Sequence, residues 1–298
     1  MLKIVKNTVL VLFFGVVPAV LIGFLAFAGF RIYQDTIKNN PKGTALSPKM
    51  VSTLGQTANA SDLNPKENAE KTPEEDKNKT PPKALDKKVE LPSSVMLNAP
   101  LLYQAYNLNC EATSLAMALQ YRKIQVKPQE LMPKIGYADP TKKSFVKGKI
   151  VWGDPDKGFV GNEKGFLFTS AAGMAGGTGW GVNNGPIAKV ADSFLPGSIE
   201  LDNATLDDLK QALAQDKPVI FWHQRDDARR EVLTYTTPEG KEVKQFQNHV
   251  NLLVGYKTDS KGQTIYYFND PVFGKIQYKE SDLIRIWAKY NNNIVVVN

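Results

Sequence analysis

Three hydrophobicity regimes follow one another along the chain. Residues 9–30, VLVLFFGVVPAVLIGFLAFAGF, contain no charged side chain, and an apolar run of about 20 residues is what a helix needs to cross the hydrocarbon core of a bilayer. Pro18 interrupts the run, yet inside a membrane the freed carbonyl can find another donor. A signal anchor over 9–30, with residues 1–8 as a short cytoplasmic tail, is therefore predicted. A cleaved signal peptide, with Lys3 and Lys6 at its charged start and Ala26-Phe27-Ala28 at the cleavage site, is the alternative, although the apolar run exceeds the usual 7–15 residues. Residues 31–95 form the second regime. From residue 39 onward it is rich in Pro, Lys, Glu, Asn and Thr and has no aromatic side chain. Such a stretch cannot bury enough apolar surface to offset its ordering entropy, so a disordered tether is predicted.

The third regime, 96–298, alternates between helical and strand periodicity. Ala112, Leu115, Ala116 and Leu119 recur at helical spacing, which predicts a helix from about Cys110 to Tyr121 with one apolar face. Further helices are predicted after Pro128, a first-turn proline, after Pro186, after Thr205, where Thr205 and Asp208 form a capping-box pattern, and around Leu283 to Tyr290. Short β-branched and aromatic runs, PVIFWH, EVLTYTT, KEVKQFQ, HVNLLVGY, TIYYFN and a terminal IVVV, predict strands separated by turns at 238–240 and 259–262. The stretch 136–184 sustains neither period and reads as a long surface excursion. Helices followed by strands imply one α+β domain, an antiparallel sheet packed on the Cys110 helix.

Charge and composition narrow the function. The net charge of +7 comes from scattered lysines and arginines without interleaved aromatics, which argues against a nucleic-acid partner. There is one cysteine and there are two histidines. A single Cys allows no internal disulfide and is either an inert core residue or a reactive thiol. The wide spacing of Cys110, His223 and His249 gives no metal-ligand pattern. Asp154 and Asp156 in WGDPDKGFVG lack the later oxygens of a calcium loop, so that segment is expected to border a cleft, packed down by Trp152 and Phe159. No metal, cofactor or nucleotide site is expected, since no GxxxxGK[ST] motif occurs.

The residues that remain suggest nucleophilic chemistry. Cys110 is predicted in the first turn of a helix, where free N–H groups and the helix dipole favour a thiolate. His249 opens a strand whose antiparallel successor ends at Asp270, so a turn near residue 260 brings the carboxylate beside the imidazole, provided the register puts both on one face. Gln104, six residues before Cys110, is placed to donate to an oxyanion together with the Cys110 N–H. His223, at the end of PVIFWH, is expected to pack or to face solvent, with lining of the cleft as the alternative.

Gln104, the run Asn109-Cys110-Glu111-Ala112-Thr113-Ser114-Leu115-Ala116-Met117, the WGDP-x-x-GFVG and GPIAK segments, the His249 strand and Asn269-Asp270-Pro271 together resemble the C39-like cysteine peptidases of the papain-like superfamily. The resemblance covers nearly everything after Met96 and implies a papain-like fold. It further implies Cys110 as nucleophile, His249 as base, Asp270 as its orienting group, Gln104 in the oxyanion hole, and a peptide or protein substrate. Asn109 before and Glu111 after the cysteine match the stand-alone exported branch, not the leader peptidases fused to transporters, so cleavage of double-glycine leaders is not carried over. The expectation is an extracytoplasmic, membrane-anchored thiol peptidase or amidase. A catalytically silent cell-surface module and an acyltransferase with the same triad are the alternatives.

Overall fold

The computed structural model describes residues 88–169, 172–224 and 232–298. The expected cytoplasmic tail (1–8), the membrane helix (9–30) and the tether as far as residue 87 lie outside the described residues. Among the described residues no helix is long and apolar enough to cross a membrane. The last part of the expected tether, 88–95, departs from the prediction. Val89 exchanges two hydrogen bonds with the Gln211 side chain, and Ser94–Met96 is a strand, β1. Backbone pairing, which needs no apolar side chain, is what orders this stretch.

The central sheet is antiparallel throughout. Its strands are β1, β6 (Ile199–Leu201), β7 (Val219–Gln224), β10 (Asn248–Thr258), β11 (Thr264–Asp270), β12 (Gly274–Lys279) and β13 (Ile294–Val296). They run in the order β12-β11-β10-β7-β13-β6, with β1 also on β10. The long strand β10 is buried from Asn248 through Tyr256, so it reads as a continuous apolar run and not as alternation. β6 and β12 were not foreseen: IEL is too short to show a period, and GKIQYK alternates exposed lysines and Gln with half-buried Ile and Tyr at the sheet edge.

Helix α1 (Cys110–Tyr121) packs on β7 and β10, with α2 (Pro128–Ile135) and α3 (Asn184–Phe194) beside it. α4 (Leu206–Ala214) packs by β1, β7 and β10, and α5 (Glu280–Trp287) by β7, β11 and β12. Good helix formers fill α1, and every residue from Cys110 to Leu119 is buried. It is thus a core helix without an exposed face, wider in its burial than the single apolar stripe expected. Two of its buried hydroxyls are satisfied, one within the helix and one by the sheet: Thr113 Oγ1 donates to Asn109 O at 2.8 Å and Ser114 Oγ to Val250 O of β10 at 3.2 Å. The predicted capping box of α4 forms, Thr205 Oγ1 accepting from Asp208 N at 3.1 Å while Asp208 accepts from Thr205 N at 2.8 Å.

The stretch 136–184 is not the surface excursion that its lack of period suggested. It contributes β2 (Tyr137–Ala138), β3 (Ser144–Val146), β4 (Lys149–Val151) and β5 (Phe159–Val160), and Trp152, Phe159, Val160, Trp180 and Val182 are buried in the main core. Each such side chain stabilises by about 1.5–3 kcal/mol against about 1–2 kcal/mol for ordering one backbone residue. Anchors recurring every few residues are therefore what hold an irregular path. β3 and β4 join β8 (Leu233–Thr236) and β9 (Glu242–Gln245) in a second, four-stranded sheet. Two of the foreseen strands thus leave the central sheet.

Candidate active site

The histidine side of the site is built by the β10–β11 hairpin and by an irregularity in it. From the turn outward the register is Thr258↔Thr264 through Gly255↔Tyr267; past a bulge at Val254 it becomes Leu253↔Phe268 and Leu252↔Asn269. Without that extra residue Asp270 would stand opposite Leu252, three positions from His249 and so on the other face. With it, Asp270 stands opposite Asn251, which shares a face with His249. The consequence is a hydrogen bond of 2.9 Å between His249 Nε2 and Asp270 Oδ2.

Both partners are buried, and the carboxylate is fully engaged. Asp270 Oδ1 accepts from the Val272 and Phe273 N–H groups at 2.7 and 2.9 Å, and Oδ2 also accepts from Asn251 Nδ2 at 3.3 Å. Burial pushes this carboxyl up, but the imidazole and the two N–H groups outweigh it, and the net result lies below the usual carboxylate range. His249 Nδ1 makes no hydrogen bond among the described residues, so that nitrogen is left for the cavity the ring lines.

The thiol side is arranged differently. Cys110 is the first residue of α1, as predicted, but it is 8% exposed, and its Sγ–H donates to Glu111 Oε2 at 3.3 Å. No hydrogen bond links it to His249. Burial, and then the neighbouring Glu111 carboxylate, push the thiol well above its ordinary range. This corrects the expectation of a thiolate favoured by the helix start. A helix terminus is worth about 0.3–1 kcal/mol, up to about 2 when partly buried, whereas desolvating a charge costs several kcal/mol. Glu111 is itself buried and is pushed up by that burial. Its Oε1 accepts from Val182 N at 3.1 Å and fills the space beside Gly181, where an added Cβ would lie 2.4 Å from that oxygen.

Gln104, Cys110, Asn248 and His249 line one cavity of about 290 Å³, walled on its apolar side by Leu108, Phe166, Trp180 and Val272. The backbone N–H of Gln104 donates to Pro271 O at 2.9 Å, which ties the lead-in of α1 to the residue after Asp270. Gln104 Nε2 gives one hydrogen to Asn107 O at 2.9 Å. Among the described residues, buried side-chain atoms without a hydrogen-bond partner include Oε1 of Gln104 and Nδ2 of Asn248, both on residues that line the cavity, and Nδ2 of Asn109, next to Cys110 in the chain. Unsatisfied buried polar groups are rare in folded proteins.

The four residues singled out in the sequence thus come together at the cavity, Asp270 through its bond to His249. The WGDPDKGFVG segment does not border it. Trp152 and Gly161 line a different cavity of about 630 Å³ with Lys143 and Phe145, and Asp154 and Asp156 bind the Lys241 ammonium at 3.0 and 2.5 Å. Among the described residues no group of three or more His, Cys, Asp or Glu side chains is placed to hold a metal ion.

Comparison with known proteins bears on this geometry. The profile of the Peptidase_C39 like family matches residues 96–295, a span that includes every residue of the site. The chain belongs to the Peptidase_C39 like family. The uncharacterized protein YvpB of Bacillus subtilis (strain 168) is 28% identical over 204 residues, covering 67% of this chain and 72% of that one. Among solved structures, a double glycine motif protease from an AMS/PCAT transporter, in complex with the leader peptide, covers 68% of this chain and 92% of its own. At 15% identity and a TM-score of 0.38 it carries no weight for fold or substrate.

Within this Peptidase_C39 like domain the sequence reading missed three residues that touch the site. Glu111 was visible as the carboxylate next to the only cysteine. Asn251 was visible as the residue two beyond His249 on one strand face. Asn248 carried no such mark, since the residue before His249 would ordinarily face the other way.

Proposed function

We propose that this chain is a thiol hydrolase of peptide or amide bonds, with Cys110 as nucleophile, His249 as base, Asp270 as orienting carboxylate and Gln104 in the oxyanion hole, on a papain-like α+β scaffold. The observation that carries the reading is the His249–Asp270 bond at 2.9 Å, on an imidazole that shares a 290 Å³ cavity with the sulfur. Asp270 takes the Nε2–H, and the unbonded Nδ1 faces the role of proton acceptor. The Cys110 S–H proton passes to Nδ1, the thiolate attacks the carbonyl carbon, and the oxyanion is met by the Gln104 amide and the Cys110 N–H. The proton returns to the leaving amine. Water, deprotonated by His249, then releases the acid from the thioester.

Membership of a peptidase family supports a peptide substrate, and Phe166, Leu167, Phe168 and Trp180 around the cavity suit a large apolar side chain near the scissile bond. The apolar run at 9–30 supports membrane anchoring, and placement of the domain outside the cytoplasm is proposed with it. The burial of Cys110, with its hydrogen bond to Glu111 and none to His249, favours a second reading, a peptidase-like module that binds peptides without cleaving them. Turnover of a peptide library decides between the two: hydrolysis that is lost in Cys110→Ala and in His249→Ala supports the hydrolase. Peptide binding without hydrolysis by the wild type sinks it.

A further inference from the structure

Two fully buried polar side chains stand directly behind the His249–Asp270 pair. His223 on β7 is the cross-strand partner of His249, with ring centroids 5.6 Å apart and ring planes at 74°. Asn251 lies on the same face of β10. Both have 0% exposure, a place where an apolar side chain of similar size would fill the volume without needing a hydrogen bond. Asn251 Oδ1 lies 2.8 Å from His223 Nε2, and Asn251 Nδ2 donates to Asp270 Oδ2 at 3.3 Å, the oxygen that accepts from His249.

One arrangement of protons fits the run of contacts from His223 through Asn251 to Asp270. An ionised carboxylate is acceptor only, so Asn251 must turn its NH₂ to Asp270 and its oxygen to His223. His223 must then carry a hydrogen on Nε2. Its other contact, Nδ1 to Gln224 O at 3.2 Å, could be a second donation only in the imidazolium form. Burial, followed by the repulsion of His249, pushes His223 down to about 4, so the neutral ring leaves that longer contact without a proton. The remaining titratable side chain packed on His223 is Tyr278 of β12, with ring centroids 5.9 Å apart.

We propose that His223 and Asn251 are positioning residues for the Asp270 carboxylate. The one-way series of donors from His223 through Asn251 to Asp270 turns one carboxylate oxygen toward His249 and fixes the tautomer that leaves Nδ1 for the cavity. The proposal rests on the hydrolase reading for its purpose, but not for its test. With only two histidines in the chain, the full-length protein labelled with ¹⁵N-histidine gives four ring nitrogens to follow by NMR. His223, and His249 in its neutral form, are expected with their hydrogen on Nε2, and His223 is expected not to titrate between pH 5 and 8. In Asn251→Leu and His223→Leu the His249 signals should move to a tautomer mixture, and iodoacetamide labelling of Cys110 should slow several-fold. His223→Gln, whose amide can still donate to Asn251, should restore both. A wild-type His223 found with its hydrogen on Nδ1, or charged, overturns the proposal without recourse to any variant. So does a folded Asn251→Leu protein whose His249 tautomer and labelling rate are unchanged. Tautomers that behave as expected, with Cys110 inert in every form, would sink the hydrolase reading and leave the alignment of Asp270 standing.

Discussion

The two halves of the site are finished to different degrees. On the β10–β11 side every carboxylate oxygen of Asp270 is engaged, the imidazole is held, and the pair is buried among aromatic rings. On the α1 side burial and Glu111 push the thiol well above its ordinary range, its hydrogen bond goes to Glu111 and not to His249, and Asn109, just before the helix, holds a buried side-chain amide nitrogen with no partner among the described residues. The orienting half is thus preorganised in the free protein, while the reacting half rests in a form that must change before a thiolate exists. Rigid alignment of the base is inexpensive to maintain inside a sheet. A thiolate sealed next to a carboxylate is not.

The sharpest test of that contrast is Asp270→Asn. The asparagine can fill the same space but presents either the wrong tautomer or a donor to His249, so turnover of a peptide substrate should fall by about 10² to 10⁴, with little change in KM. An unchanged rate would mean that the finished half is idle. Gln104→Ala is expected to lower kcat by about 10²-fold, because the side chain would act only once the oxyanion forms; a change in KM alone would move Gln104 from the oxyanion to ground-state binding.

Glu111→Gln probes the resting half in the opposite direction. The amide keeps an oxygen for the Val182 N–H but removes the charge beside the sulfur, so alkylation of Cys110 near neutral pH should become faster, by about 10-fold for each unit by which the thiol falls. The same variant has a stability signature. A carboxyl raised by folding contributes stability that is present below its unfolded value near 4 and is lost as pH rises toward its folded value. Glu111→Gln should therefore raise the melting temperature at pH 7 and change it little at pH 4. Asp270 has the reverse sign: being held low in the fold, it contributes stability above about pH 4 that disappears as the pH falls through its folded value. Melting curves of the wild type and Asp270→Asn between pH 2 and 7 should converge at the acid end. This is the smallest of the effects, since Asp270→Asn also alters hydrogen bonds that do not titrate.

Most helices and the core strands were legible because each carries its own period or cap, as Thr205 and Asp208 show for α4. The path from 136 to 184 was not, because Trp152, Phe159 and Trp180 are anchors spaced irregularly and only a partner surface reveals what they anchor to. Of the site, Cys110, His249, Asp270 and Gln104 could be named from residue type and order, and they do gather at one cavity. The state of the thiol could not, because helix-start electrostatics is a local property and burial is not.

Local sequence was enough to place a sulfur at a helix start, an imidazole on an apolar strand and a carboxylate at the end of the next one. Whether imidazole and carboxylate share a face was decided by one bulged residue, Val254, and that bulge arises where β10 must satisfy β7, β1 and β11 together. What the sulfur touches was likewise decided by the packing of α1 against the sheet and the 181–182 backbone, since desolvation depends on neighbours that are distant along the chain.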